Sequence, residues 1–575
     1  MVCWKFIVKM RGKMSKRKSD RLVFVPLGGS NEIGMNLNLY GFGPKDREKW
    51  IMVDFGVTFG DASTPGVEVI YPDPTFIEER KSDLLAIVLT HAHEDHMGAV
   101  APLWPRLQVP VYATPFTAYL VRDRLKEAGL LGEVELHEIP LKSRFSLGPF
   151  DLELVTLTHS IPEPNGLIIR TPVGTILHTG DWKIDPDPLI GQPTDAKVLN
   201  DLGDEGVLAM VCDSTNVFNK GEAGSEAGVR DNLIELVGQQ TGAVAVAAFA
   251  SNVARLQSVV EAAEANDRTI CLVGRSMHRM MGAARHVGLF ANAKAFIDDE
   301  DAGSLPKSNV LYLCTGSQGE ERAALSRIAS GTHRYVKLNS GDCVLFSSRV
   351  IPGNEKSIFA LQNALAGQGV QIITEKDHHI HVSGHPCRDE LRQMYSWARP
   401  KIAIPVHGER RHLIEHGKLA RELQVPHGFV PKNGDMIELS EAGAELVDEV
   451  YAARLFRDGN IIAPEGAGAL RERKYLGFGG MLVVTLAVGN DRRLTCHPII
   501  RVFGLPDPYD DDFASILDEL EELADQTWSA LGRKAKQDLD AAETEVFRKI
   551  KRQCRNIWGK TPHIEVIVMG QDTPH

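Results

Sequence analysis

The sequence predicts an α/β protein built in three successive parts, and three patterns along its 575 residues carry that prediction. From about 22 to 215, β-rich runs (LVFVPL, WIMVDFG, LLAIVLT, PVYAT, TILHTGD, VLAMVCDS) are separated by Gly/Pro/Asp turns, which suits a domain with sizeable sheets. From about 221 to 385, helical stretches such as NVARLQSVVEAAEAND alternate with short apolar runs (GAVAVAAF, TICLVG, NVLYLCTG, DCVLFSS, VQIIT), the mark of a parallel sheet wound with helices. After the Gly-rich stretch near 477–480, MLVVTLAV, two long helical patterns (511–531 and 536–557) and the run HIEVIVM predict a small α/β tail. The strand KIAIPVHG and the helix RRHLIEHGKLAREL fit either of the first two parts.

Composition narrows the class. With 43% hydrophobic and 24% charged residues the chain reads as an ordinary soluble protein, too long for one hydrophobic core. Its longest apolar runs, AVAVAAFA (243–250) and MLVVTLAV (481–488), fall short of the ~20 residues that span a bilayer, so no membrane association is expected. The N-terminus lacks an apolar core followed by a small-residue cleavage site, which predicts a cytoplasmic location. Eight Lys/Arg against one acid in the first 21 residues predict a disordered basic segment over 1–20. Eight cysteines without a CxxC pair speak against a disulfide framework and against a cysteine zinc site. The net charge of −12 does not decide for or against a nucleic-acid partner, because a metal and local basic patches override a global sum. One such patch, Arg548, Lys549, Lys551, Arg552 and Arg555 at the end of the last helical pattern, reads as a solvated face complementing the helix dipole.

The densest chemistry is LTHAHEDHMG (89–98), where His91, His93, Asp95 and His96 leave the end of an apolar strand within six positions. Imidazole and carboxylate are ligands that Zn2+ and Mn2+ accept. Four ligands on one short loop cannot all close on a single ion, so a two-metal site completed from elsewhere is expected. The remaining ligands should end strands on the same rim, and His159 in ELVTLTHSIPE, Asp181 in TILHTGDWKID and His407 in KIAIPVHGE each follow an apolar run.

HAHEDH, TLTHSIPE and LHTGDWKID together resemble the metallo-β-lactamase superfamily of binuclear metal hydrolases. The resemblance implies His91, His93 and His159 on one ion, Asp95, His96 and His407 on the other, and Asp181 bridging. It also implies that Asp54 in WIMVDFG orients the metal loop, although locally Asp54 reads equally as a strand-end turn residue. Substrate class then turns on the 225 residues between Asp181 and His407. CDSTN (212–216), HVSGH (381–385) and PVHGE (405–409) resemble the motifs of β-CASP nucleases, and His407 stands where DNA-directed members carry valine. LGGSNEIGMN (27–36), CTGSQGEERAALSRIA (314–329) and SSRVIPGNE (347–355) further resemble the bacterial ribonuclease J family, with Ala92, Pro386 and Cys387 as small departures outside the ligand set.

That resemblance implies a metallo-β-lactamase αββα sandwich with an inserted β-CASP α/β domain and a small C-terminal α/β domain. The expected boundaries are 21–220 and 386–460 for the two parts of the sandwich, 221–385 for the insert, 461–480 for a linker and 481–575 for an oligomerisation domain. Physically, HVSGH suits a phosphate cradle: His381 and His385 offer imidazoles, Ser383 a hydroxyl, and Val382 and Gly384 backbone groups. TGSQGE offers similar groups and reads better as a turn capped by Ser317. Asp95 is expected to orient or deprotonate water, and His385 to stabilise phosphate and deliver a proton to the leaving oxygen. Asp213 is a strand-end acid that orients neighbouring ligands or forms a turn.

The resemblance further implies 5′→3′ exonuclease and endonuclease activity on single-stranded RNA, favoured by a 5′ monophosphate, in mRNA turnover and rRNA maturation. Two Zn2+ (or Mn2+) per subunit are implied, with a structural Ca2+ near Gly66, Glu68 and Asp448, a homodimer or tetramer formed through the tail, and partners in an RNA-degradation complex. The competing readings are a DNA nuclease of the same fold and a weakly active RNA-binding subunit.

Overall fold

The computed structural model describes residues 20–467, 469–506 and 511–570, so the basic segment expected over 1–20 lies, but for Asp20, outside the described residues. The chain forms two compact units: one runs to Thr58 and resumes over Ile70–Leu455, and the other combines Phe59–Val69 with the chain from Phe456 onward.

The first unit contains two large sheets. One has eight strands in the order Gly443–Glu449, Asp435–Ser440, Asp20–Gly28, Leu37–Pro44, Lys49–Val53, Leu84–Val88, Val111–Ala113 and Leu136–Glu138. The other has seven: Arg144–Leu147, Phe150–Thr156, Asn165–Thr171, Gly174–His178, Ala209–Asp213, Ile402–Val406 and His427–Gly428. Their strands alternate, so Leu22, Phe24, Ile51 and Val53 meet Leu152, Leu154, Ile402 and Ile404 in one buried layer. The opposite face of the seven-stranded sheet, with Val155, Leu177, Met210 and Ala403, packs on residues of the helices Ala196–Glu205, Arg388–Ala398 and Arg410–Glu422. The helix Pro115–Glu127 lies against the edge strands of the other sheet, completing an αββα sandwich. KIAIPVHG, which the sequence leaves open between two domains, belongs to the sandwich: Ile402–Val406 pairs in parallel with Ala209–Asp213.

The five apolar runs of the insert form a parallel sheet in the order Thr269–Val273, Val310–Cys314, Val244–Ala247, Cys343–Phe346 and Gln371–Thr374. Helices such as Val253–Ala265, whose cap Asn252 accepts from the Arg255 N–H at 2.9 Å, connect them.

In the second unit, Met481–Val488 runs antiparallel to Ile499–Phe503 and parallel to His563–Gly570. The helices Asp511–Ala530 and Leu539–Ile557 cover one face of this sheet through Leu520, Trp528, Val546 and Ile550. Its other face leaves Ile499, Phe503, Ile567 and Met569 exposed. The basic residues Arg548, Lys549, Lys551, Arg552 and Arg555 point to solvent, as the helical period requires. The segment 461–480, expected as a linker, instead contains the strand Ile461–Pro464 and the helix Ala469–Gly479. The glycines that suggested a linker end that helix: Gly480, at φ +69°, donates its N–H to the Leu476 carbonyl at 2.8 Å.

Candidate metal centre

Strand register brings the predicted ligands together. Gly174–His178, Ala209–Asp213 and Ile402–Val406 are parallel neighbours, with His178 opposite Val211 and Asp213 opposite Val406. They therefore end on one edge, and Asp181, Asp213 and His407 emerge side by side. Leu84–Val88 of the facing sheet ends on the same rim and delivers His91 to His96, and Phe150–Thr156 delivers His159.

The side chains gather into two donor groups that share one residue: His91, His93, His159 and Asp181, and Asp95, His96, His407 and Asp181. In the first, His93 Nδ1 lies 3.1 Å from both His91 Nε2 and His159 Nε2, and Asp181 Oδ2 lies 3.8 and 3.9 Å from those two nitrogens. In the second, His96 Nε2 is 3.2 Å from Asp181 Oδ2 and 3.6 Å from Asp95 Oδ2. His407 Nε2 is 3.6 Å from Asp181 Oδ1 and 3.8 Å from Asp95 Oδ2. Four donors at about 2.0–2.1 Å around a tetrahedral ion stand about 3.3 Å apart, so this spacing suits divalent cations. Two atoms make the same point: Asp181 Oδ1 and His407 Nε2 are buried and lack any hydrogen-bond partner, a condition that a bound cation relieves.

Hydrogen bonds on the far side of each ring set which nitrogen faces the centre. Asp54, fully buried, accepts the Thr90 N–H at 2.8 Å, the Thr90 hydroxyl at 2.9 Å and His96 Nδ1–H at 2.7 Å. With its own proton committed to Asp54, the Thr90 hydroxyl accepts His91 Nδ1–H at 3.0 Å. The Gly384 carbonyl accepts His159 Nδ1–H at 2.5 Å, and Asn36 Oδ1 accepts His407 Nδ1–H at 3.1 Å. Four Nε2 lone pairs thus point inward, with His93 presenting Nδ1. Asp54 (φ +63°) and His407 (φ +50°) both adopt left-handed backbone, local strain of about 1–3 kcal/mol each that the surrounding contacts hold in place. Replacing Asp54 by asparagine exchanges one acceptor oxygen for a donor and is expected to weaken metal affinity about 10- to 100-fold. Chelator competition on the purified variant measures this, and unchanged affinity refutes the orienting role.

Burial holds His91 and His159 well below the ordinary imidazole range and pushes His93 down to about 4, so these rings offer lone pairs rather than charge. For His96, burial is outweighed by Asp181, Asp95 and Asp54, which hold it well above that range. Asp181, despite its burial, is held well below the carboxylate range by His407, His96 and His385. Without an ion, protons on the rings supply the positive charge that the carboxylates demand, and divalent cations meet that demand better.

Asp213 and His385 stand beside the second group, and with His407 form a third cluster. His385 Nδ1 donates to Asp213 Oδ2 at 2.8 Å. Burial pushes His385 down, but Asp213 and Asp181 outweigh it and bring the ring up to about 9. Divalent cations held by the adjoining groups would draw that value back towards neutrality.

The HVSGH turn is more differentiated than its sequence suggests. Ser383 Oγ accepts from Asn216 Nδ2 at 2.6 Å and from the His385 N–H at 3.2 Å, which leaves its own proton to donate outward. Gly384 is required by His159: a Cβ there would lie 2.7 Å from the ring. Val382 is buried, and burial together with Arg255 pushes His381 down to about 3, so His381 presents a neutral ring. Gln318 of TGSQGE binds the following loop, accepting the Ile351 N–H at 2.9 Å and donating to the Arg349 carbonyl at 2.9 Å, as befits a turn.

Glu68 and Asp448 belong to no donor group among the described residues, and Gly66 (φ +81°) lies against the Arg473 guanidinium. Asn36, Thr90 and Asn216 were not singled out from sequence. All three lie inside the motif strings, but their partners become visible only in three dimensions.

Four family descriptions match the chain: "Ribonuclease J, beta-CASP domain" over 241–365, "Ribonuclease J C-terminal domain" over 468–571, "Beta-lactamase superfamily domain" over 50–200 and "Zn-dependent metallo-hydrolase RNA specificity domain" over 369–429. Ribonuclease J of Sinorhizobium meliloti is 42% identical over 97% of this chain and 99% of its own length. Ribonuclease J of Corynebacterium glutamicum is 37% identical over 97% of this chain and 78% of its own. That of Thermus thermophilus is 32% identical over 96% and 95%. With this identity sustained along almost the whole chain, and the donor groups assembled as described, the chain belongs to the ribonuclease J family.

Proposed function

We propose that the chain is a metal-dependent ribonuclease that degrades single-stranded RNA from the 5′ end, prefers a 5′ monophosphate, and also cuts internally. The observation that carries this is the sharing of Asp181: its Oδ2 lies 3.8 and 3.9 Å from His91 and His159 Nε2 of one donor group and 3.2 Å from His96 Nε2 of the other, and the HVSGH turn stands beside them. The relatives' name and the RNA-specificity description over 369–429 support RNA as the substrate. A cleft of about 260 Å³, lined by His159 and Glu163 of the sandwich and Val287 and Leu289 of the insert, gives the centre an open flank between two folded layers.

His91, His93, His159 and Asp181 would hold one divalent ion, zinc or manganese, and Asp95, His96, His407 and Asp181 a second. Such ions supply Lewis acidity, acidifying water and neutralising phosphate charge. The chain's own residues do the rest. Asp95, whose side chain is 28% exposed, is the carboxylate that solvent reaches, and it orients the attacking water and takes up its proton. The Ser383 hydroxyl donates to a phosphate oxygen. His385, steered by Asp213, protonates the leaving oxygen.

On this reading its cellular roles are mRNA turnover and rRNA maturation in the cytoplasm; no helix among the described residues is long and apolar enough to cross a membrane. Ile499, Phe503, Ile567 and Met569, exposed on one sheet face of the tail, suit pairing of copies of the chain into a homodimer, or of two such dimers into a tetramer.

The test is incubation with 5′-monophosphorylated and 5′-triphosphorylated RNA, and a matched DNA strand, with Mn2+ or Zn2+. Mononucleotide release from the monophosphorylated RNA, abolished by chelator and restored by metal, is expected. Equal cleavage of the DNA, or cleavage indifferent to chelator, overturns the proposal.

A further inference from the structure

Phe218 is 48% exposed, although Asn216 and Val217 immediately before it are buried. A single exposed ring is ordinary on a protein surface, so its significance lies in where it stands. Asn216, two residues earlier, donates through Nδ2 to Ser383 Oγ at 2.6 Å and to the His385 carbonyl at 3.0 Å. Two steps of chain span at most about 8 Å, so the Phe218 backbone adjoins the segment that holds the HVSGH turn.

The helix Arg410–Glu422 begins on the other side of this ring. The Arg411 guanidinium lies 5.9 Å from the Phe218 ring centroid, and the His412 ring meets it edge-on at 5.3 Å. Gly408 packs these elements together: a Cβ there would lie 2.9 Å from His412 Cβ and 3.2 Å from Ser214 Cβ. The turn after Asp213 and the helix after His407 therefore leave the candidate centre side by side.

The charge on this helix start is unusual. Its first turn carries Arg410, Arg411 and His412 without an acid, and no side chain caps its N–H groups. The N-cap carboxylate of Glu409 offsets part of this charge, and an arriving anion would offset more. Arg410 donates to the Val430 and Pro431 carbonyls, and Arg411, 66% exposed, shares only Glu409 at 2.8 Å.

We propose that Phe218 and Arg411 form a platform on which one unstacked base of the RNA lies beside the cleavage site, with the basic helix start facing the adjoining phosphate. An aromatic face accepts any base, and a guanidinium beside it adds cation–π attraction and a phosphate contact. The inference rests on the ribonuclease reading above, which supplies the ligand.

An abasic scan tests it. A single baseless nucleotide is moved along a 5′-monophosphorylated RNA, and KM is measured for the wild-type chain, Phe218→Ala and Phe218→Tyr. Phe218→Ala is expected to raise KM about tenfold on intact RNA, the loss of one base–aromatic stack. At one abasic position that penalty should vanish, and Phe218→Tyr should restore both the low KM and the sensitivity to that position. A wild-type chain that cleaves RNA, but whose Phe218→Ala variant shows no position-specific coupling, overturns the platform and leaves the nuclease standing. A wild-type chain that cleaves no RNA removes the nuclease reading and the platform with it.

Discussion

Asp181→Ala is expected to lower RNA cleavage by at least about a thousandfold, ~4 kcal/mol of barrier, and to leave less than one tightly held divalent ion per chain. No other side chain belongs to both four-membered donor groups. Its oxygens lie 3.2 Å from His96 Nε2 and 3.6 Å from His407 Nε2 on one side, and 3.8 and 3.9 Å from His91 and His159 on the other. Removing it takes a donor from each group and leaves buried imidazoles facing an empty volume. The loss should exceed that of Asp54→Asn, because Asp54 acts through His96 and Thr90 rather than on the ion. Elemental analysis after dialysis, combined with single-turnover cleavage, checks both halves. A variant that retains two ions per chain would show that Asp181 does not bridge.

His385→Ala is expected to reduce cleavage about 10²- to 10⁴-fold, the range for losing a general acid. The geometry predicts where that loss falls. His385 Nδ1 is committed to Asp213 at 2.8 Å, so the opposite nitrogen is the one available to a leaving oxygen. A nucleotide ester with a p-nitrophenolate leaving group needs no proton on departure, and the variant should turn it over nearly as fast as the wild-type chain does. Equal losses on RNA and on the activated ester would instead assign His385 to phosphate binding alone. Asp213→Asn keeps the shape of the turn but weakens the hold on His385, so its losses should follow the same pattern at smaller size.

Both experiments turn on residues that the sequence makes conspicuous. LTHAHEDHMG is legible because ligand side chains are sparse in most sequences and dense here. His159, Asp181 and His407 are legible because each ends an apolar strand. The residues that tune the centre are not. Asn36 meets His407 across 371 positions of chain, and Asn216 meets Ser383 across 167. Their amides have no local signature, because an asparagine in a turn looks the same whether it faces water or a histidine. HVSGH shows the same limit from the other side. Its five residues suggested one cradle, whereas the structure buries Val382, turns His381 into a neutral ring beside Arg255 and uses Gly384 to admit His159. The segment 461–480 contains a strand and a helix, and its terminal glycines form a helix stop, which glycine composition alone does not separate from a linker.

By itself, the sequence determined the ligand chemistry and the alternation of strands and helices, since both are written in residue type and in periods of two or 3.6 residues. Only the tertiary structure decided which candidate ligands gather into one donor group, that Asp181 belongs to both groups, and which nitrogen of each histidine points inward. Those outcomes depend on strand register and on hydrogen bonds between distant segments. The parallel alignment of Gly174–His178, Ala209–Asp213 and Ile402–Val406 ends three strands at one edge, and no local pattern encodes which strands will be neighbours.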